Sequence, residues 1–445
     1  MAYLCPAAQI PPRPSNPNVI NAETATTMSE ESFRPLLYLS RRQALLFCLL
    51  LTAFELLTYL ASDMVMPAML QVTRDLSAAS HHVPTALNAF LLGGIAFQWL
   101  IGPLSDRFGR RPTLLAGTLI FALACLAAAG SQHIAWFNLL RFVQGIALGF
   151  IVVVSYPALQ EIFNERDAVR LMALLANIAL LSPLAGPLLG SLLLEVLSWR
   201  QLFAALGAAT VLVTLGLWRW MPETLGAPRR DGPAQQPVPL RLGVALANYL
   251  ALLKHRDFVC GSLALGLLTL PLLAWIGLSP LLLIRQLGYS SLQYGLWQLP
   301  VFAAMIGGNL LLNRMAGRME LSSLLRLALW PMAGGLLLTG LAAPLSPSLP
   351  ALVACFSVYA FGLGLGNATL YRLTLYCSDN AKGSVAAMLG MLSTAMLGGG
   401  SAMLALLDAG DSPARFAASV SLASLLALPP LWLLLRRPQL EPVSA

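Results

Sequence analysis

The sequence predicts an all-α protein that crosses a membrane twelve times, and three observations point to that fold class. The 445 residues are 58% hydrophobic and 10% charged, with a mean hydropathy of +0.74, whereas a soluble domain carries about 25% charged residues. The apolar residues fall into twelve stretches, each near the roughly 20 residues that a membrane-spanning helix needs. The arginines and lysines are concentrated in alternate connections between these stretches. These features exclude an ordinary soluble domain.

The twelve stretches divide the chain into two groups of six, and most are bounded by charges or by glycine, proline and serine clusters. They lie near 43–68, 83–104, 113–131, 135–156, 168–191, 199–219, 258–282, 292–312, 322–343, 350–375, 383–406 and 412–435. We therefore expect five regions: a disordered and dispensable extension (1–40), a first half (41–220), a linker (221–257), a second half (258–436) and a tail (437–445).

The distribution of basic residues predicts the orientation in the membrane. Arginines and lysines cluster before the first stretch, after the second, fourth and sixth, and after the twelfth, whereas the alternate connections hold only Arg74, Arg200, Arg285 and Arg415. By the positive-inside rule both termini and the linker are cytoplasmic. The net charge of +8 is thus explained by the orientation of the protein in membrane lipid and does not indicate a nucleic-acid partner.

Two carboxylates interrupt the first apolar stretch. Glu55 and Asp63 lie well inside residues 43–68, although a charge near a helix centre costs about 3 kcal/mol. Eight residues place both acids on one side of a helix, roughly 12 Å apart in depth. Such acids usually face a protein interior and mark an ion or substrate path. The alternative, a structural pair neutralised by hydrogen bonds inside the bundle, remains open.

A buried arginine is expected opposite the second of these acids. Arg141 lies about seven residues inside the fourth stretch, which runs inward from the outer surface, at the depth of Asp63 in the first. We therefore expect an ion pair between Arg141 and Asp63 across the two helices. The second half has no comparable intramembrane acid, so we expect it to provide an apolar wall.

The connection after the second stretch resembles a known family motif. Residues 102–112 read Gly-Pro-Leu-Ser-Asp-Arg-Phe-Gly-Arg-Arg-Pro, which is similar to the signature loop of the major facilitator superfamily. A degenerate copy at 313–318 follows the eighth stretch, as expected for two pseudo-symmetric six-helix halves. The resemblance implies a cytoplasmic network that latches the halves in the outward-facing state, formed here by Gly102, Asp106, Arg107, Gly109 and Arg110.

The fifth stretch is similar to the antiporter motif of proton-coupled drug exporters in the same superfamily. The matching residues are Pro183, Gly186, Pro187 and Gly190, whereas Ser191 departs from the fuller pattern. Small residues at this spacing also serve ordinary helix packing in membranes, so both interpretations stay open.

Further runs extend the resemblance to the MdfA-type multidrug/proton antiporters, from about Arg41 to the end of the tenth stretch. The runs are Phe-Glu-Leu-Leu-Thr-Tyr-Leu-Ala-Ser-Asp around the two acids, Leu-Leu-Arg141-Phe, Leu-Pro-Leu-Leu-Ala-Trp275-Ile and Arg372-Leu-Thr-Leu. The resemblance implies proton coupling by Asp63, Glu55 and Arg141. It also implies a substrate site formed by Glu55, Tyr59, Ser62, Asp63, Leu87, Ala179, Leu272, Leu273, Ile276 and Phe302.

The function this predicts is efflux of lipophilic cationic and neutral drugs in exchange for protons, by a monomer in the bacterial inner membrane. The alternative is a proton-coupled transporter dedicated to one small metabolite, whose site would need more polar side chains in both halves. Which of Glu55 and Asp63 is the main proton carrier stays open. An enzyme is not expected, because the sequence has no Ser/His/Asp set and no histidine deep in the membrane. It also has no metal-ligand cluster and no phosphate loop, so we expect neither a metal nor a cofactor.

Overall fold

A computed structural model describes residues 35–237, 242–315, 318–345, 348–377 and 382–435. The predicted tail at 437–445 and residues 1–34 of the predicted extension lie outside the described residues. Throughout the described part the chain is helical, and no strand longer than an isolated bridge occurs there.

The helices follow one another with short breaks. Up to the linker the α-helices are Arg41–Asp63, Met69–Asp75, Val83–Ala96, Gln98–Phe108, Arg110–Ala129, Ile134–Phe150, Tyr156–Ile162, Glu165–Leu193 and Trp199–Trp220. From the linker onward they are Leu242–Lys254, Arg256–Ser279, Ser291–Met315, Leu321–Leu345, Leu349–Leu375, Lys382–Leu406, Pro413–Leu425 and Leu428–Leu435. Two π-helical segments, Ile151–Ser155 and Pro280–Gln286, continue the helices before them.

These helices form twelve spans, which we number in chain order. Ten are unbroken runs long and apolar enough to cross a membrane, and two are bent pairs. Spans 1 to 6 are Arg41–Asp75, Ser80–Phe108, Arg110–Ala129, Ile134–Ile162, Arg170–Leu193 and Trp199–Trp220. Spans 7 to 12 are Arg256–Gln286, Ser291–Met315, Leu321–Leu341, Leu349–Leu375, Val385–Leu406 and Pro413–Leu435. The predicted all-α polytopic fold is confirmed, and every predicted stretch overlaps one span.

The close packing of the spans depends on glycines at the crossings. A side chain on Gly93 of span 2 would collide with the Phe142 carbonyl of span 4, and one on Gly364 of span 10 with the Met305 carbonyl of span 8. Between the halves, span 5 packs on span 8, and span 2 packs on span 11. Lipid would cover the outer perimeter, where large apolar side chains such as Trp330 and Leu406 are exposed.

At the end of the bundle that the charge pattern assigns to the outside, the two halves touch. A Cβ on Gly295 of span 8 would lie 3.0 Å from Leu188 Cα of span 5. The Arg285 guanidinium donates a hydrogen bond to the Ser80 hydroxyl across the same end. These contacts join the two halves on the predicted outer side.

The predicted boundary of the N-terminal extension is wrong, because the segment 35–39 is held against the rest of the protein. The Leu36 N–H donates to the Ile162 carbonyl at 2.6 Å, and the Arg230 N–H donates to the Leu36 carbonyl at 2.8 Å. Leu37 is 2% exposed and bridges to Arg229 of the linker. This clasp, which we define as residues 35–39 with 224–235, gives the backbone groups of two irregular segments their partners.

The clasp also contains an ion pair of its own. The Arg229 guanidinium lies 2.8 Å from the Asp231 carboxylate. Hydrogen bonding from Arg229 holds the pKa of the Asp231 carboxyl below its usual value. Because the Asp231 side chain is 40% exposed, solvent screens the pair and it contributes little to stability.

Candidate functional site

Glu55 lies fully buried at the centre of span 1. Its Oε1 accepts a hydrogen bond from the Tyr156 hydroxyl at 3.4 Å, and its Oε2 has no partner. Tyr156 directly follows the π-helical segment Ile151–Ser155 of span 4, and such segments often occur at functional sites. Tyr156 was not predicted from the sequence, where it stands out only as a tyrosine in an otherwise aliphatic stretch.

Asp63 lies at the end of the first helix and is 5% exposed. Its Oδ2 accepts a hydrogen bond from the Ser182 hydroxyl of span 5 at 2.8 Å. A Cβ on Gly186, one turn further along span 5, would lie only 2.7 Å from the Asp63 Cβ. Ser182 and Gly186 therefore place span 5 directly on this acid.

The antiporter-like motif of span 5 is the surface that makes this contact. A side chain on Gly190 would collide with the Met64 carbonyl next to Asp63. Span 5 bends by 45° between Ala179 and Leu181, just before Pro183, and Pro187 lies inside the same helix. The four predicted motif residues thus lie together, with the two glycines against the segment that carries the acid.

The predicted ion pair between Arg141 and Asp63 is not formed, since their side chains do not approach within 4.0 Å. The Arg141 Nη1 instead donates to the Ala61 carbonyl at 2.9 Å and to the Gln144 Oε1 at 2.7 Å. Its guanidinium carbon lies 4.7 Å from the Phe90 ring centroid. Arg141 does lie close to the end of span 1 that carries Asp63, but its hydrogen bond goes to a backbone carbonyl two residues before the acid.

The remaining predicted substrate residues are all buried or half-buried. Tyr59 is half-buried and interacts electrostatically with both Glu55 and Asp63. A Cβ on Gly277 would lie 3.6 Å from Leu87, so span 2 meets span 7 there. Ala179 is half-buried, and the buried members of the set are Ser62, Leu87, Leu272, Leu273, Ile276 and Phe302.

The second half is not purely apolar, contrary to expectation. Ser279 of span 7 and Tyr294 and Gln298 of span 8 are all fully buried, and the Gln298 Nε2 donates to the Ser279 hydroxyl at 3.1 Å. Tyr294 interacts electrostatically with Asp63 of the first half. These polar residues are isolated in apolar stretches and match no motif. Only their helical spacing from the predicted apolar residues of spans 7 and 8 could have indicated this cluster.

Two of the predicted latch residues, Asp106 and Arg110, form an ionic network at the predicted cytoplasmic end of the first half. Arg110 lies 2.6 Å from Asp106 and 2.9 Å from Glu161 of span 4. The Thr224 hydroxyl of the linker donates to Glu161 at 2.6 Å. In this conformation the network joins spans 2, 3 and 4 to the linker.

Glu223 completes the network from the end of span 6. Its carboxylate accepts the backbone N–H groups of Arg110 at 3.1 Å and Arg111 at 3.2 Å, where the helix of span 3 begins. Gly109 has φ 103°, and a Cβ there would collide with this carboxylate. Arg107 is exposed over the Phe108 ring, outside the network. The glycine at 102 packs near Val153 of span 4.

Within the described residues, no group of three or more histidine, cysteine, aspartate or glutamate side chains could hold a metal ion. The titratable side chains buried within span 1 are the two carboxylates, Glu55 and Asp63.

Apolar spans around two buried acids define a multi-pass membrane transporter. A family model described as Major Facilitator Superfamily matches residues 49–403. The chain belongs to the Major Facilitator Superfamily, and within it to the MdfA type. It is a multi-pass protein of the bacterial inner membrane.

Two curated relatives show the extent of the similarity. The multidrug transporter MdfA of Edwardsiella ictaluri (strain 93-146) is 46% identical over 353 residues, which cover 79% of this chain and 84% of the relative. The protein of the same name from Escherichia coli O6:H1 is 46% identical over 352 residues, again 79% of this chain and 84% of the relative.

Solved structures support the fold alone, because their sequences are distant. A crystal structure of a D-xylose–proton symporter has a TM-score of 0.68 at 14% identity, covering 86% of this chain and 96% of the symporter. A bacterial homolog of the human lysosomal transporter Spinster, inward-facing and unoccupied, has a TM-score of 0.69 at 16% identity. That likeness covers 89% of this chain and 98% of the homolog.

Proposed function

We propose that this protein exports lipophilic cationic and neutral drugs from the cytoplasm in exchange for protons, by alternating access. The observation that carries the proposal is the pair of buried acids, Glu55 and Asp63. Within the described residues neither acid forms a salt bridge, and Arg141 acts on Asp63 only from beyond salt-bridge distance. An acid without a direct ion-pair partner in a low-dielectric interior binds either a proton or a cationic ligand. The name multidrug transporter, carried by relatives at 46% identity, supports this substrate class.

The exchange follows from competition for the same charge. A lipophilic cation that enters between the halves favours the ionised carboxylate and displaces its proton. When the halves rock and the site opens outward, a proton from outside binds the acid and the cation leaves. A largely apolar wall with few fixed polar groups gives weak shape selectivity, which suits many substrates.

The other predicted residues act on this exchange indirectly. The span 5 motif would transmit the state of Asp63 to the contact with span 8, since span 5 touches both. The Asp106, Arg110 and Glu161 network would hold the cytoplasmic end of the first half rigid while the halves move. We propose that the transporter works as a monomer surrounded by lipid.

The test is drug transport in everted membrane vesicles with an acidified lumen, with ethidium as the cationic drug. Wild-type protein should accumulate ethidium, and the accumulation should collapse when the proton gradient is dissipated. Asp63→Asn should abolish it, because an amide cannot release a proton. Asp411→Asn serves as the control, because Asp411 lies at the protein surface in a pair with Arg415. Unchanged ethidium accumulation by Asp63→Asn would refute proton exchange at this acid.

One observation favours the alternative of a transporter for a single metabolite. The buried cluster of Ser279, Tyr294 and Gln298 gives the second half fixed polar groups that a selective site would use. A competition assay separates the two functions. A multidrug site is inhibited by many unrelated lipophilic compounds, whereas a dedicated site is inhibited only by analogues of one metabolite.

A further inference from the structure

A cavity lies between the two halves at the predicted outer end of the bundle, with a volume of about 250 Å³. The first half contributes the turn that starts span 2. The second half contributes the end of span 7 and the connection between spans 11 and 12. The polar and charged residues that line the cavity are Ser80, His81, Arg285, Asp408 and Asp411. Charged groups of the second half therefore meet the first half in one small space, where their contacts depend on how the halves are arranged.

The side chain that joins the halves in this cavity is Arg285. Its guanidinium donates a hydrogen bond to the Ser80 hydroxyl of span 2. Arg285 belongs to the π-helical segment Pro280–Gln286 at the end of span 7, and such segments often occur at functional sites. Because the two partners belong to different halves, separation of the halves at this end breaks the bond.

A second partner for Arg285 lies in its own half. Asp408 lines the same cavity, and among the described residues it forms no ion pair. Its backbone has φ 53°, in the left-handed region, and such conformations cluster at switch regions. The other acid, Asp411, already lies 3.4 Å from Arg415. Asp408 is therefore the carboxylate that remains available to the guanidinium when Ser80 moves away.

We propose that Arg285 is a two-position switch, which bonds Ser80 when the halves are joined at the predicted outer end and pairs with Asp408 when they separate. A residue with a different partner in each state biases the equilibrium by the difference between the two interactions. The ion pair with Asp408 offsets part of the loss of the bond to Ser80, so the outer end opens at a lower net cost. The inference rests on the alternating access of the proposed function and adds the residue that balances its two outer states.

The test is chemical labelling of a single cysteine from outside spheroplasts. Ser191 is 0% exposed and lies where spans 5 and 8 touch, with its hydroxyl 3.1 Å from the position of a Cβ on Gly295. In a background without the six native cysteines, Ser191→Cys should react with a membrane-impermeant maleimide only while the outer end is separated. The labelling rate, normalised to labelling after denaturation, therefore reports the separated population.

Two substitutions should move this rate in opposite directions. Ser80→Ala removes the partner of the joined state and should raise the rate by about 3- to 10-fold, the usual effect of one hydrogen bond. Asp408→Asn removes the partner of the separated state and should lower the rate by about 2- to 5-fold, as expected for an exposed ion pair. In an Arg285→Ala background neither substitution should change the rate, because both act through the guanidinium.

Two matched controls remove the same chemical groups from residues that are not partners of Arg285. Ser131→Ala deletes a hydroxyl that donates within the first half, to the Ala128 carbonyl. Asp411→Asn deletes the acid that is paired with Arg415. Both should leave the labelling rate within about two-fold of the wild-type value.

Opposite shifts in Ser80→Ala and Asp408→Asn that vanish in the Arg285→Ala background would establish the switch. Shifts in the same direction, a shift in one variant alone, no shift, or shifts that persist without the guanidinium would overturn it. The lipophilic cation tetraphenylphosphonium separates this inference from the proposed function. If Ser191→Cys is never labelled, with or without this cation, the outer end does not open, and alternating access fails together with the switch.

Discussion

The hydroxyl of Ser182 donates a hydrogen bond to the Oδ2 of Asp63 at 2.8 Å, joining the buried acid of span 1 to span 5. This bond lies immediately after the 45° bend of span 5. The arginine at the same depth, Arg141, bonds the backbone before the acid and leaves the carboxylate to the serine. The hydroxyl is therefore a positioning group for the acid.

Removing this hydroxyl should impair export without unfolding the protein. A hydrogen bond to a charged group contributes about 1.5–3 kcal/mol, so Ser182→Ala should lower the ethidium export rate by about 10-fold. Ser182→Thr keeps the hydroxyl and should retain most of the activity. Ser191→Ala is the control on the same span, because the Ser191 hydroxyl donates to its own helix at the Pro187 carbonyl. Equal losses for Ser182→Ala and Ser191→Ala would argue against a positioning role.

Glu55→Gln should weaken cationic substrates and spare neutral ones, because only a cation uses the charge. The affected affinity should fall by about 10-fold or more, as expected when a buried charge partner is lost. Tyr156→Phe tests the hydrogen bond to Oε1 separately and should have a smaller effect in the same direction. The measurement is inhibition of ethidium efflux by tetraphenylphosphonium and by chloramphenicol. Parallel loss of both would show that Glu55 takes part in every transport cycle.

Arg141→Met and Arg141→Lys should both destabilise the first half, by about 2 kcal/mol. Lysine restores the charge but lacks the planar group that bonds Ala61, reaches Gln144 and stacks on Phe90. The measurement is the thermal unfolding midpoint of purified protein. Full rescue by lysine would instead support charge pairing with Asp63 as the main role.

The clasp predicts a sharp limit to N-terminal truncation. Deletion of residues 2–27, so that translation starts at Met28, should leave transport intact, whereas deletion of residues 2–38 should lower stability and activity. The larger deletion removes Leu37, which is 2% exposed. It also removes Leu36, whose carbonyl accepts the Arg230 N–H. In the full-length protein, Leu37→Asp should cause the same loss of stability and activity. Tyr38→Ala is the control, because Tyr38 is 66% exposed. Unchanged thermal stability in Leu37→Asp would show that the clasp contributes nothing.

The spans were predictable because a membrane-spanning helix needs a long apolar run, which leaves an unmistakable pattern. The buried acids were predictable for the same reason, since a charge within such a run is costly and stands out. Neither property reveals which side chain an acid meets. Choosing Ser182 over Arg141 as the partner of Asp63 requires the bend of span 5 and the rotation of span 4.

The other differences concern uncharged or irregular groups. Glu161 gave no signal at the end of span 4, because an acid at the end of a membrane-spanning helix is ordinary. Gln298 was hidden because one amide in an apolar stretch is within the normal variation of membrane helices. Residues 35–39 read Pro-Leu-Leu-Tyr-Leu, an apolar run too short to predict a helix or to identify a packing partner. Their order comes from backbone bonds to a linker that is distant in sequence.

The bridge between Leu37 and Arg229 constrains how the protein is synthesised. The N-terminal partner leaves the ribosome before span 1, but its binding site is incomplete until all six spans of the first half and part of the linker have been made. Residues 35–39 therefore stay unpaired at the membrane surface during synthesis, and this end of the first half closes last. A version of the protein expressed as two separate pieces should accordingly be divided after Gln235, so that the first piece carries both parts of its own closure.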